Sequence, residues 1–236
     1  MQRGVLKNKY RGIAALIVML FPALLFLMTI FHNRNYGLIS LIMVLLALIP
    51  FFIRYERKKP SAREWIPLVV MAALAAVGRM VFAPLPHFKP ISAIIIITAM
   101  VFGAEAGFLT GAISALASNL FFGQGPWTPW QMFAWGLIGF LAGWLSKKNG
   151  LNKPWKIIVF GLVSGFIYGW IMNIWSAATM LMSRMSVYAF LTLYITSFPV
   201  DLIHGISTAL FLVLIEKSWT AKLRRVKIKF GISTGE

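Results

Sequence analysis

The sequence predicts an all-α integral membrane protein of about eight spans, a six-helix core preceded by two further helices. Three observations carry this. First, 59% of the 236 residues are hydrophobic and only 12% are charged, about half the charge of a soluble domain. Second, the apolar residues fall in runs long enough to cross a bilayer. Third, Lys and Arg cluster in short segments beside those runs rather than across a surface, as in loops held on the cytoplasmic side.

Each span follows from a run of apolar residues. The runs are 12–31, 37–54, 65–83, 91–104, 106–122, 130–146, 156–176 and 196–216. The basic start and first run resemble a signal peptide. A second run comes at once, with no small-residue cleavage site between, so the first helix is read as retained. The fourth run is short, and only the turn from Gly103 to Gly107 parts it from the fifth. Residues 177–195 are apolar but broken by Ser183, Arg184 and Ser186. They fit either a loop with an interfacial helix or extensions of the flanking spans.

Charge sets the expected orientation. With the N-terminus inside, all but four of the 23 Lys and Arg fall on the cytoplasmic side. The four are Arg34, Arg79, Lys89 and Arg184. This bias predicts N-in and C-in, with 32–36, 84–90, 123–129 and 177–195 outside. The first two spans are almost free of polar residues, and the basic linker 54–64 comes after them. The expected organisation is therefore a two-helix appendage (1–63), a six-helix core (64–222) and a basic cytoplasmic tail (223–236).

The net charge of +17 does not imply nucleic acid, because the basic residues flank membrane runs. The chain has no Cys, hence no disulfide, thiolate metal site or Cys nucleophile. It has no P-loop and no HExxH. A single Asp, Asp201, excludes a two-aspartate intramembrane protease. No catalytic residue, metal site or resident cofactor is expected, and the chain is not read as an enzyme.

Polar groups inside membrane segments are costly, so each is a site hypothesis. Asp201 and His204 stand at i and i+3 in the last span, on one helix face. Asn173 lies in the preceding span, Arg79 near the outer end of the third, and Asn119, Gln124 and Gln131 bracket the 123–129 loop. His87 and Lys89 lie in the loop PLPHFKP (84–90). The topology brings these groups to one end of the bundle, as a binding pocket requires. Each also has a structural reading: Asp201 paired with Arg79, His204 as a satisfied core histidine, and Asn119 and Asn173 as helix–helix glue. Trp127 and Trp130 read as interfacial anchors on the same footing.

The stretch NLFFGQGPWTPWQ (119–131) is the most unusual in the chain. Gly123 and Gly125 permit a tight backbone, and Pro126 and Pro129 stiffen the entry into the next run. Trp127 and Trp130 offer flat faces; Gln124, Thr128 and Gln131 offer amide and hydroxyl contacts. A rigid aromatic platform of this kind suits a planar or ring-bearing ligand. On the third span, Ala72 and Ala76 form a small-xxx-small pair that lets another helix approach closely.

With these residues in view, the six-span core, over roughly 64–222, resembles the substrate-binding S components of energy-coupling factor (ECF) vitamin importers. AALAA in the first core span matches that family's AxxxA docking motif, and a stiff outer loop comes after it. The segment NLFFGQGPWTPWQMFAWGLIGFLAG (119–143) resembles S components assigned to cobalamin or related corrinoids. The resemblance implies vitamin capture at the outer face. It also implies docking through Ala72 and Ala76 on a transmembrane coupling subunit shared with two ATPases, with ATP used only by those partners. It implies a multi-pass protein of a prokaryotic plasma membrane, with loop 123–131 in the substrate site. A corrinoid suits Trp and Gln contacts, with His87 and His204 read as non-coordinating neighbours. A small carboxylated vitamin would instead use Arg79 or Lys89 as a clamp. The rival outside this family is a standalone proton-coupled transporter using Asp201 and His204. A structural or enzyme-like membrane protein, with no ligand at the outer face, is the third class.

Overall fold

A computed structural model describes residues 61–180 and 187–232, together with scattered positions between 42 and 56. The expected first span, 12–31, lies outside the described residues, and the second is described only in part. Regular structure among the described residues is helical throughout. Six helices succeed one another: α1 (Ala62–Val81), α2 (Ile91–Phe102), α3 (Ala104–Phe122), α4 (Thr128–Lys147), α5 (Pro154–Met180) and α6 (Val187–Lys229).

Their ends have local causes. Glu64 in the first turn of α1 and Arg79 in its last turn both oppose the helix dipole. Gly103, at φ +93°, caps α2 by donating its N–H to the Ala99 carbonyl at 2.8 Å and turns the chain directly into α3. Gly123, at φ +96°, ends α3 in a conformation that favours glycine. Pro129 then opens α4 in its first turn, where a missing N–H costs nothing.

α2 lies at the centre of the bundle. Every residue in it except Met100 is buried, which is why its sequence shows no polar face. At 12 residues it is shorter than the roughly 20 needed to span a bilayer. α1, Pro154–Ala177 of α5, and α6 are long and apolar enough to cross a membrane. α6 has 43 residues, about 65 Å of helix. It extends the expected 196–216 span in both directions and runs unbroken through the expected core–tail boundary at 222/223. Residues 177–180 continue α5 and 187–195 open α6. The flanking helices therefore extend through most of the 177–195 segment; 181–186 lie outside the described residues.

Small residues set the two closest helix pairs. On α3, Gly107 and Gly111 lie four apart; on α4, so do Gly139 and Gly143. A Cβ on Gly107 would strike the Gly139 carbonyl, and one on Gly111 the Trp135 carbonyl. On α5, Gly161, Gly165 and Gly169 face Ala209, Gly205 and Asp201 of α6 in the same way. Backbones that approach this closely gain dispersion contact in lipid, where no hydrophobic drive exists between helices. The described positions of the second span pack on the same core. Phe51 stacks on Phe108 with ring centroids 3.7 Å apart, and Tyr55 meets Trp65 edge-on at 4.7 Å.

Gly139→Leu should force α3 from α4 and destabilise the fold by about 2 kcal/mol or more. The thermal unfolding midpoint in detergent should fall accordingly. Ala73→Leu, on the exposed face of α1, should leave it nearly unchanged.

Candidate functional site

Chain direction alternates through the six helices, so the 82–90 and 123–127 connections share one end of the bundle, the loop end. The site residues of α1, α3 and α4 meet just beneath it. Arg79 Nη1 donates to Ser118 Oγ at 2.6 Å and to Asn119 Oδ1 at 2.7 Å. Asn119 Nδ2 in turn donates to Thr128 Oγ1 at 2.9 Å and to Gln131 Oε1 at 2.7 Å. The Thr128 hydroxyl also accepts from the Gly125 N–H at 3.2 Å and donates to Gln124 Oε1 at 2.9 Å. One donor and two acceptors exhaust a hydroxyl, so Thr128 ties α3, the loop and α4 together. Gln124 completes the tie by donating to the Leu116 carbonyl at 2.9 Å.

A second set lies deeper, across α2, α4, α5 and α6. Trp135 Nε1 donates to Ser92 Oγ at 3.1 Å, and Ser92 Oγ lies 2.9 Å from His204 Nε2. Tyr168 packs at 4.4 Å from the Trp135 ring and at 4.9 Å from His204. Arg79, whose guanidinium lies 5.0 Å from the Trp135 ring, joins the two sets. A third group belongs to the α5–α6 pair alone: Asn173 Nδ2 donates to Ser197 Oγ at 2.6 Å, and Ser197 Oγ donates to Asp201 Oδ2 at 3.2 Å.

Several expectations need correction. Arg79 does not pair with Asp201; its Nη1 donates to neutral oxygens of α3, while Asp201 sits against Gly169 of α5. No direct Asp201–His204 bond occurs among the described residues; their partners are Ser197 and Ser92. Trp130 is not a face of the expected aromatic platform. It is fully buried and packs 6.2 Å from the Trp175 ring. Trp127 is 39% exposed and covers Gly125, where a Cβ would collide with the indole. Ala72 and Ala76 are 0% and 3% exposed. They are spent inside the bundle, and α1 turns Val69, Ala73 and Val77 outward instead. His87 stands exposed in its loop at φ +58°.

Sequence reasoning missed Ser92, Ser118, Phe122, Trp135, Tyr168 and Ser197. Spacing alone held the signal for two of them: Ser118 adjoins Asn119, and Trp135 lies one helical turn beyond Gln131. The Arg79 guanidinium lies over the Phe122 ring at 4.4 Å and 5.0 Å from the Trp135 ring. Lys89 Nζ approaches the same Phe122 ring at 5.4 Å. Partial burial first, and the nearby Arg79 second, hold the Lys89 ammonium below its ordinary pKa. The backbone of Lys89 is fixed by Ser207 of α6, which donates to its carbonyl at 3.1 Å.

Thr128→Val should remove all three hydroxyl contacts at a cost of about 1–3 kcal/mol. Amide exchange across 123–131 should rise by tenfold or more, while Thr128→Ser should stay near the wild type. Equal exchange in all three proteins would show that the hydroxyl does not hold the loop.

Three comparisons with known proteins bear on this arrangement. The family model for the ECF-type riboflavin transporter S component matches residues 61–220, which is the whole six-helix bundle apart from the end of α6. A UPF0397 protein of Vibrio atlanticus (strain LGP32) is 31% identical over 123 residues, covering 47% of this chain and 67% of that protein. A UPF0397 protein of Aliivibrio fischeri (strain MJ11) is 30% identical over 123 residues, with the same coverage. One from Aliivibrio salmonicida (strain LFI1238) is 30% identical over 88 residues, covering 35% of this chain and 48% of that protein. No solved structure matches significantly. The matches support a substrate-binding transporter subunit that works with an ECF coupling and ATPase module; they do not carry the corrinoid subtype expected from the loop. With its membrane-length helices and this match over most of its length, the chain belongs to the ECF-type riboflavin transporter S component family.

Proposed function

We propose that this chain captures a ring-bearing vitamin at the loop end and delivers it inward when docked on an ATPase-driven coupling module. The observation that carries the reading is the polar network joining Arg79, Asn119, Thr128 and Gln131 beneath a loop it holds rigid. A membrane bundle does not need so many bonded polar groups at one end for packing alone. The proposed topology is N-in and C-in, about eight spans, with the loop end facing outward, in the plasma membrane of a prokaryote.

The ligand proposed first is cobalamin or a related corrinoid. Support comes from the 119–143 resemblance and from Trp127, which offers an exposed indole on a loop stiffened by Pro126 and Thr128. Riboflavin is the second reading. It is favoured by the description of the matching family and by the Trp135–Tyr168 ring pair, whose half-buried Tyr168 offers a ring for stacking a flat, compact heterocycle. The coupling subunit, on this reading, meets the outward stripe of α1 at Val69, Ala73 and Val77. Substitutions at Ala72 or Ala76 would act on the bundle itself. A standalone proton-coupled transporter is less well supported, since Asp201 and His204 serve separate partners.

Titration calorimetry on the purified chain with cobalamin and with riboflavin tests the reading. One of the two should bind one-to-one below micromolar, and Trp127→Ala should weaken that binding about tenfold. Uptake into vesicles should require the coupling and ATPase subunits. Uptake by this chain alone, abolished by Asp201→Asn, would replace the proposal with the proton-coupled one.

A further inference from the structure

Arg79 and Lys89 are like charges held side by side. Both lie over the Phe122 ring, at 4.4 and 5.4 Å, and each lies within electrostatic reach of the other. Coulomb repulsion between them is not relieved by a carboxylate. Among the described residues neither makes an ion pair. Asp201, the one acid toward this end, is held by Ser197 on the α5–α6 pair. Glu64 and Glu105 open α1 and α3 at the opposite end of the bundle.

The donors are also only partly used. Arg79 spends Nη1 on Ser118 and Asn119. Its Nε and Nη2 have no hydrogen-bond partner among the described residues, and neither has Lys89 Nζ. The free Nε/Nη2 edge is the fork that grips an oxyanion through two parallel bonds. The Nη1 bonds and the flanking Phe122 and Trp135 rings fix its plane. The loop backbone at Lys89 is pinned to α6 by Ser207. Two cations preorganised in this way, partly dry and without an acid, have the chemistry that an anion would relieve.

We propose that Arg79 and Lys89 form an oxyanion clamp, so that the vitamin taken at the loop end carries a phosphate group. The inference rests on the proposed vitamin-capture reading and narrows its substrate class. It favours cobalamin, whose nucleotide arm holds a phosphodiester, over a corrinoid stripped of that arm. Within the flavins it favours riboflavin 5′-phosphate over riboflavin.

The test is calorimetry on the purified full chain with two matched pairs of probes: cobalamin against cobinamide, and riboflavin 5′-phosphate against riboflavin. The phosphate-bearing member of the pair that binds should bind at least tenfold more tightly. Lys89→Gln, a change in a partly exposed loop, should reduce that preference severalfold without altering the unfolding midpoint. Arg79→Lys should reduce it while keeping a positive charge, because the fork is lost. If a vitamin binds with equal affinity with and without its phosphate, the clamp is overturned and vitamin capture stands. If the preference survives both substitutions, the phosphate is read elsewhere and the clamp is again overturned. If none of the four probes binds, while short-chain phosphatidylglycerol binds and is lost in Lys89→Gln, the pair belongs to a lipid headgroup. In that outcome both the clamp on a vitamin and the ring-vitamin reading fall together.

Discussion

The separation of α3 and α4 is the constraint on which the rest depends. Gly107 against Gly139 and Gly111 against Trp135 bring the two backbones into direct contact. Only at that separation can Asn119, near the end of α3, reach both Thr128 and Gln131 at the start of α4. The loop between them then has few conformations left, and Thr128 closes it from both sides. Asn119 also carries the constraint onward, since its carbonyl oxygen accepts from Arg79 of α1. A glycine contact in mid-bundle thus fixes the position of a guanidinium several residues away, by rigid helices rather than by any flexible link.

Much of the fold was legible in the sequence. The six core runs predicted six helices, and the ends at Gly103, Gly123 and Pro129 fell where left-handed backbone or a missing N–H demands. The apolar segment after residue 176 was harder, because Ser183, Arg184 and Ser186 break the hydrophobic pattern without breaking helix propensity on either side. Polar residues were legible as a set but not as partners. Arg79 and Asp201 are complementary by charge; the bundle instead puts them on different helix pairs, where Arg79 donates to two neutral oxygens and Asp201 accepts from the Ser197 hydroxyl. The role of Trp130 was not readable either. Trp127 and Trp130 are three residues apart, yet one covers the loop and the other enters the core, since helix α4 begins between them.

Small-residue pairs show a general limit of this kind. In a soluble helix the polar face reveals which side meets solvent. In a membrane helix both the lipid face and the packed face are apolar, so periodicity is silent about which is which. Ala72 and Ala76 have the spacing of an external docking pair, and Gly107–Gly111, Gly139–Gly143 and Gly161–Gly165–Gly169 have it too. All four sets are consumed within this one chain. In a short bundle with a buried central helix such as α2, internal close packing takes the small residues first.

Electrostatics separates Arg79 from the ordinary structural arginine. A buried cation usually costs more in lost hydration than one neutral partner returns, and a carboxylate is the common remedy. Here the remedy is two neutral oxygens and two aromatic faces, which stabilise a cation without cancelling its charge. The positive potential therefore persists at the loop end, and Lys89 adds to it. An internal acid would have cancelled the charge of the guanidinium. Keeping the charge uncancelled, on a guanidinium whose plane is already fixed, leaves its attraction available to an incoming anion with little further reorganisation.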